Sequence, residues 1–128
     1  MGGAMRKLMV VEDSGAMRSL IASILGELED LEIVEAGNGF DALKLLARGP
    51  IALLILDINM PGINGLELLS FLRGNPAFVR TRVLIVTTEA SDEDRRRAMA
   101  LGANDYVTKP FEPQVLLAAV RRLLSSGE

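Results

Sequence analysis

With 128 residues, 49% of them hydrophobic and 24% charged, the chain is expected to form a single globular domain rather than a disordered segment. Its core must be aliphatic, because aromatics reach only 4% and Trp is absent. The lack of Cys and His excludes disulfides, thiolate or imidazole metal sites and histidine acid–base chemistry; a net charge of −3 gives no global pull on nucleic acid, and no apolar run approaches the roughly 20 residues of a membrane span.

In chain order, residues 1–4 read as a disordered end or an expression remnant, and the domain is expected over 5–126. The first aliphatic run, 8–11, reads as a strand and stops on Glu12-Asp13. Met17, Leu20, Ile21, Ile24, Leu25 and Leu28 then recur at helical spacing, the mark of one apolar face. A second strand over 31–36 precedes a helix over about 39–48. The most apolar run, 51–56, ends abruptly on Asp57, and a loop with Pro61, Gly62 and Gly65 leads into a helix whose Gly65, Leu68, Leu69 and Leu72 share a face.

The fourth strand, 83–86, ends on Thr87-Thr88. Residues 91–101 form a weaker helix, with Ser91 and Asp94 in a capping arrangement and apolar residues confined to its far end, so it is expected to be the most loosely held. Its "RRR" at 95–97 tempts a nucleic-acid reading, but Asp92–Arg96 and Glu93–Arg97 have favourable i, i+4 spacing and favour a solvated face. A fifth strand, 105–108, leads to Lys109-Pro110, and a last helix from Pro113 to about 124 carries Val115, Leu116, Leu117, Val120, Leu123 and Leu124. Those apolar residues exceed one buried face, so the helix either packs broadly or offers a partner surface.

Strands alternating with helices imply parallel pairing through right-handed crossovers, and nearly all-apolar strands imply a sheet covered on both faces. The fold class is therefore α/β, a doubly wound five-stranded parallel sheet of order 2-1-3-4-5, the flavodoxin-like (βα)5 arrangement. Its switch point lies between the first and third strands, where sites form outside the carboxyl ends. Glu12, Asp13 and Asp57 would meet there, with Thr87 and Lys109 arriving from the neighbouring strands. Three close carboxylates repel until a proton or a cation joins them. An oxygen-only set suits Mg²⁺, and Mn²⁺ is compatible. A carboxylate flanked by such an ion, an ammonium and a hydroxyl is equipped to accept a phosphoryl group.

The segments "VVEDS", "LLILDINMPGINGLELL", "LIVTTEA" and "GANDYVTKPF", in that order and spacing, resemble the receiver domain of two-component response regulators over about 6–124. The second and third look especially CheY-like, like the single-domain chemotaxis regulators. The resemblance implies Asp57 as phosphoacceptor, with Asp13, Asp57 and the Asn59 carbonyl as Mg²⁺ ligands and Glu12 acting through a metal-bound water. It implies Thr87 and Lys109 as phosphoryl-binding groups, a cis peptide before Pro110, and Tyr106 as an aromatic that moves with Thr87. Asn59 and Glu89 match positions that tune dephosphorylation, and their polarity suggests a short-lived phosphoryl state. One departure is Glu12-Asp13 where Asp-Asp is commoner.

A receiver would be a cytoplasmic switch rather than an enzyme. Its phosphodonor would be a sensor histidine kinase or a small phosphodonor, and its target would dock on the surface of the fourth helix, fifth strand and fifth helix, without direct nucleic-acid binding or membrane insertion. The chain is either a stand-alone regulator or a receiver from a larger regulator with a DNA-binding or enzymatic output domain. A haloacid-dehalogenase-like phosphatase is disfavoured because Asp57-Ile58-Asn59 lacks the second acid. A flavodoxin-like electron carrier is disfavoured because "EDSGAMR" is too acidic for phosphate and aromatics are scarce.

Overall fold

Aliphatic runs can bury on both sides only if helices cover both faces of the sheet they form. The computed structural model describes residues 5–125 and meets that condition. Along the chain it has β1 (Arg6–Val11), α1 (Gly15–Leu25), β2 (Leu31–Ala36), α2 (Gly39–Leu46), β3 (Leu53–Leu56), α3 (Gly65–Arg73), β4 (Arg82–Thr87), α4 (Asp92–Ala100), β5 (Asp105–Thr108) and α5 (Pro113–Ser125). The strands are all parallel and ordered β2-β1-β3-β4-β5. No described helix is long and apolar enough to cross a membrane. The expectations for residues 1–4 and for Ser126 lie outside the described residues.

Strand periodicity divides the core. Leu8, Val10, Leu53, Ile55, Leu84 and Val86 pack against Ile21, Ile24 and Leu25 of α1 and Leu116, Val120 and Leu123 of α5. Their neighbours Met9, Val11, Leu54, Leu56, Val83 and Ile85 face α2 and α3, through Ala42, Leu46, Leu68, Leu69 and Leu72. All four residues of β3 are buried, so truncating one to Ala would leave a cavity costing about 2–5 kcal/mol. That rigidity fixes where Asp57 leaves the sheet.

Some details depart from the sequence reading. Leu20 and Val115 are 48% and 51% exposed, at the edges of their helical stripes, and Leu28 lies beyond the end of α1. Ile51 and Ala52 precede β3, although the Ala52 N–H already donates to the Lys7 carbonyl (2.8 Å). Helix α2 stops at Leu46, before the turn at Gly49 with φ +149°. Ser91 caps α4, its hydroxyl accepting from the Asp94 N–H (3.0 Å) and donating to the Asp94 carboxylate (2.7 Å). The pairs Asp92–Arg96 and Glu93–Arg97 do not close as ion pairs; Arg95 of the same helix lies over the Tyr106 ring, 4.9 Å from its centroid. A full capping box at α3, between Asn64 and Glu67, is a feature the sequence reading passed over.

Candidate functional site

Register carries the polar strand ends to one spot. Val11 lies opposite Leu56, and the Asp57 N–H donates to the Val11 carbonyl at 3.1 Å, so Glu12 and Asp57 leave the sheet side by side. Thr87 lies opposite Thr108, and the Lys109 N–H donates to the Thr87 carbonyl at 2.8 Å. Glu12, Asp57 and Thr87 are buried, whereas Asp13 is exposed. One carboxylate oxygen from each of Glu12, Asp13 and Asp57 lies within 4.8 Å of the others.

The Lys109 ammonium bridges two of these acids, at 2.6 Å from Glu12 Oε1 and 3.1 Å from Asp57 Oδ2. Glu12 Oε2 accepts from the Ser14 N–H (3.1 Å), and Asp57 Oδ1 from the Asn59 N–H (3.2 Å). Burial pushes the Glu12 carboxyl above its ordinary range, and the Asp57 charge adds to this; the Lys109 and Ser14 hydrogen bonds work against it. Burial alone would lower the Lys109 ammonium, but Glu12 and Asp57 outweigh it and hold the group above its usual value. Three carboxylates against one ammonium leave an excess of negative charge. Oxygen donors at this spacing, with no soft ligand, fit a small hard divalent cation that retains waters.

The remaining expected residues surround this cluster. The Asn59 amide donates to Glu89 Oε2 (2.7 Å), so these two side chains engage each other. Thr87 Oγ1 accepts from the Glu89 N–H (3.3 Å), and the Tyr106 hydroxyl donates to the Glu89 carbonyl (2.6 Å), with its ring buried. Burial, then the charges of Asp94 and Glu89, raise the Tyr106 phenol, and Arg95 partly opposes them. The Lys109–Pro110 peptide is cis.

Two contributors were not assigned to the site from sequence, although Gly65 was read in the loop and helix face that follow Asp57. A Cβ on Gly65 would lie 2.2 Å from the Asp57 carbonyl oxygen, so only glycine lets α3 start this close behind the acid. Arg18 reaches from α1 to the Glu12 carbonyl (2.7 Å). The signal for Gly65 was its place after the loop that follows Asp57; for Arg18 it was a lone cation in an apolar helix.

A doubly wound sheet with an acid cluster and a lysine at its switch point defines a class, and the chain belongs to it: residues 8–121 match the family model for the response regulator receiver domain. It is a CheY-like receiver, a signalling protein rather than a classical enzyme. The chain is 38% identical over 122 residues to a chemotaxis protein CheY homolog of Campylobacter jejuni, covering 94% of each. It is 37% identical to chemotaxis protein CheY1 of Helicobacter pylori, covering 95% of this chain and 99% of the relative. The structure of Vibrio cholerae chemotaxis protein CheY4 superposes with a TM-score of 0.87 at 32% identity, covering 94% of this chain and 100% of that one.

Proposed function

We propose that the chain is a Mg²⁺-dependent phosphorylation switch of two-component signalling, with Asp57 as the residue that takes the phosphoryl group. The observation that carries this reading is the setting of Asp57. It is 6% exposed, it ends the central strand, and it sits beside two further acids with Lys109 Nζ 3.1 Å away. An Asp57 carboxylate oxygen attacks phosphorus, the bond from phosphorus to the donor breaks, and the donor departs with the electron pair. The donor is a histidine kinase's phosphoimidazole or an acyl phosphate. Asp13, Asp57 and the Asn59 carbonyl would hold Mg²⁺, with Glu12 acting through water, and the ion supplies charge neutralisation for the phosphoryl oxygens.

Lys109 neutralises one phosphoryl oxygen and Thr87 donates its hydroxyl to another. Thr87 then releases the Glu89 N–H, and Tyr106 and Arg95 carry the change to α4. Met99 and Val115, 41% and 51% exposed, support a partner surface over α4, β5 and α5. Asn59 and Glu89 set how readily water reaches phosphorus and restores the carboxylate. Similarity to chemotaxis CheY proteins over nearly their whole length supports a chemotaxis regulator working in the cytoplasm. The test is intact-protein mass after incubation with acetyl phosphate. The expected outcome is one added phosphoryl group that requires Mg²⁺; uptake indifferent to chelation would defeat the metal assignment.

A further inference from the structure

Behind the acid cluster, one guanidinium holds the backbone that carries it. Arg18 donates from Nη1 to the Glu12 carbonyl (2.7 Å) and from Nε to Glu35 Oε1 on β2 (3.1 Å). Gly37 leaves the space for this, since a Cβ there would stand 3.3 Å from Nη1. Glu12 is thereby fixed at every polar atom. Its N–H donates to the Ala36 carbonyl (3.1 Å), its two carboxylate oxygens accept from Lys109 and Ser14, and its carbonyl accepts from Arg18.

That carbonyl belongs to the peptide joining Glu12 to Asp13. The peptide is planar, so fixing its oxygen fixes the direction in which Asp13 departs. Asp13 is exposed, so little packing holds its carboxylate and its backbone must aim it. We propose that Arg18 is a positioning residue for the divalent-cation site, holding the Glu12–Asp13 peptide so that the Asp13 carboxylate converges with Asp57. This rests on the reading of that cluster as a Mg²⁺ site.

Two effects of opposite sign make the proposal testable. Arg18 is positive, so on charge alone its removal would tighten Mg²⁺ binding. That effect is small, because the charge already faces Glu35 and both side chains are partly in water, at 25% and 44% exposure. Loss of the peptide anchor acts the other way, since partners that orient a metal's ligands typically change affinity about tenfold or more. Positioning therefore wins, and the sign separates it from electrostatics.

The experiment titrates Mg²⁺ into the unphosphorylated protein by calorimetry, comparing wild type with Arg18→Met, Arg18→Lys and Glu35→Gln, with thermal melts confirming that each is folded. Arg18→Met should weaken Mg²⁺ binding about tenfold. Arg18→Lys should fall between, because one ammonium cannot serve both acceptors in the guanidinium's fork. Glu35→Gln should weaken it less than Arg18→Met. Unchanged or tighter binding in Arg18→Met overturns the proposal; if that variant does not fold, wild-type affinity in both of the others overturns it. Phosphoryl uptake by wild type is measured alongside. Uptake with an indifferent Arg18→Met sinks the positioning role alone. Weakened Mg²⁺ binding in Arg18→Met without any wild-type uptake supports positioning and sinks the phosphoacceptor reading. A wild type that binds no Mg²⁺ removes both.

Discussion

At the scale of single residues, Tyr106 reports on the site, because it is the only tyrosine and no Trp obscures it. Tyrosinate absorbance should titrate above the ordinary value of 10.0, because burial and the nearby Asp94 and Glu89 charges disfavour the phenolate. Arg95→Gln should push it further up, since Arg95 works the other way. A folded pKa above the unfolded one means this contribution to stability is complete below about pH 10 and is lost as pH rises through the folded value. An Arg95→Gln titration superimposing on wild type would remove Arg95 from the ring's environment. Gly65 gives a steric test. Gly65→Ala places a methyl 2.2 Å from the Asp57 carbonyl oxygen, so the backbone must shift. It should destabilise by about 1–3 kcal/mol in urea melts and slow phosphoryl uptake as well. Wild-type stability would mean α3 starts elsewhere. The site acids were legible because each is a polar residue ending an apolar run. Gly65 was not, because its small size matters only once Asp57 lies behind it.

At the scale of elements, hydrophobic period carried most of the information, and errors fell where backbone hydrogen bonding rather than side-chain pattern decides. The second and fifth strands start and stop where their apolar runs do. The first and fourth extend beyond theirs, because Arg6 and Lys7 pair with β2 and Arg82 with β3 despite their charge. The weak helix read from 91–101 is a helix with one buried residue, Ala98, the fewest of the five. Amide hydrogen exchange should accordingly open α4 well before α5, which buries Leu116, Leu117, Ala119, Val120 and Leu123. Equal protection would show that capping by Ser91 and the Arg95–Tyr106 contact hold α4 as firmly as a packed face does.

For the whole molecule, alternation of strands and helices with both faces covered points to a doubly wound sheet, and its order β2-β1-β3-β4-β5 sets the end of β1, with Glu12 and Asp13, beside the end of β3, with Asp57. What could not be read from sequence was rotameric: that Lys109 bridges Glu12 and Asp57, and that Asn59 turns to Glu89. The same charge cluster sets a global property. Without a divalent ion the carboxylates repel, so Asp13→Asn should raise the melting temperature in chelator by a few degrees. Mg²⁺ at about 100 times its dissociation constant should stabilise wild type by about 2.7 kcal/mol. It should stabilise Asp13→Asn far less. A wild-type melt indifferent to Mg²⁺ would contradict a cation site at this sheet edge.

Asp57 itself is the proposed carrier of the phosphoryl group. Borohydride reduces an acyl phosphate to the alcohol, so treating acetyl-phosphate-loaded protein should convert Asp57 to homoserine. Peptide mass spectrometry of the segment spanning β3 and the loop to Gly65 would locate it. Wild type should give homoserine at position 57 and Asp57→Asn none; homoserine at Asp13, or a phosphoryl group that survives reduction on a hydroxyl, would place the phosphoryl group on another residue.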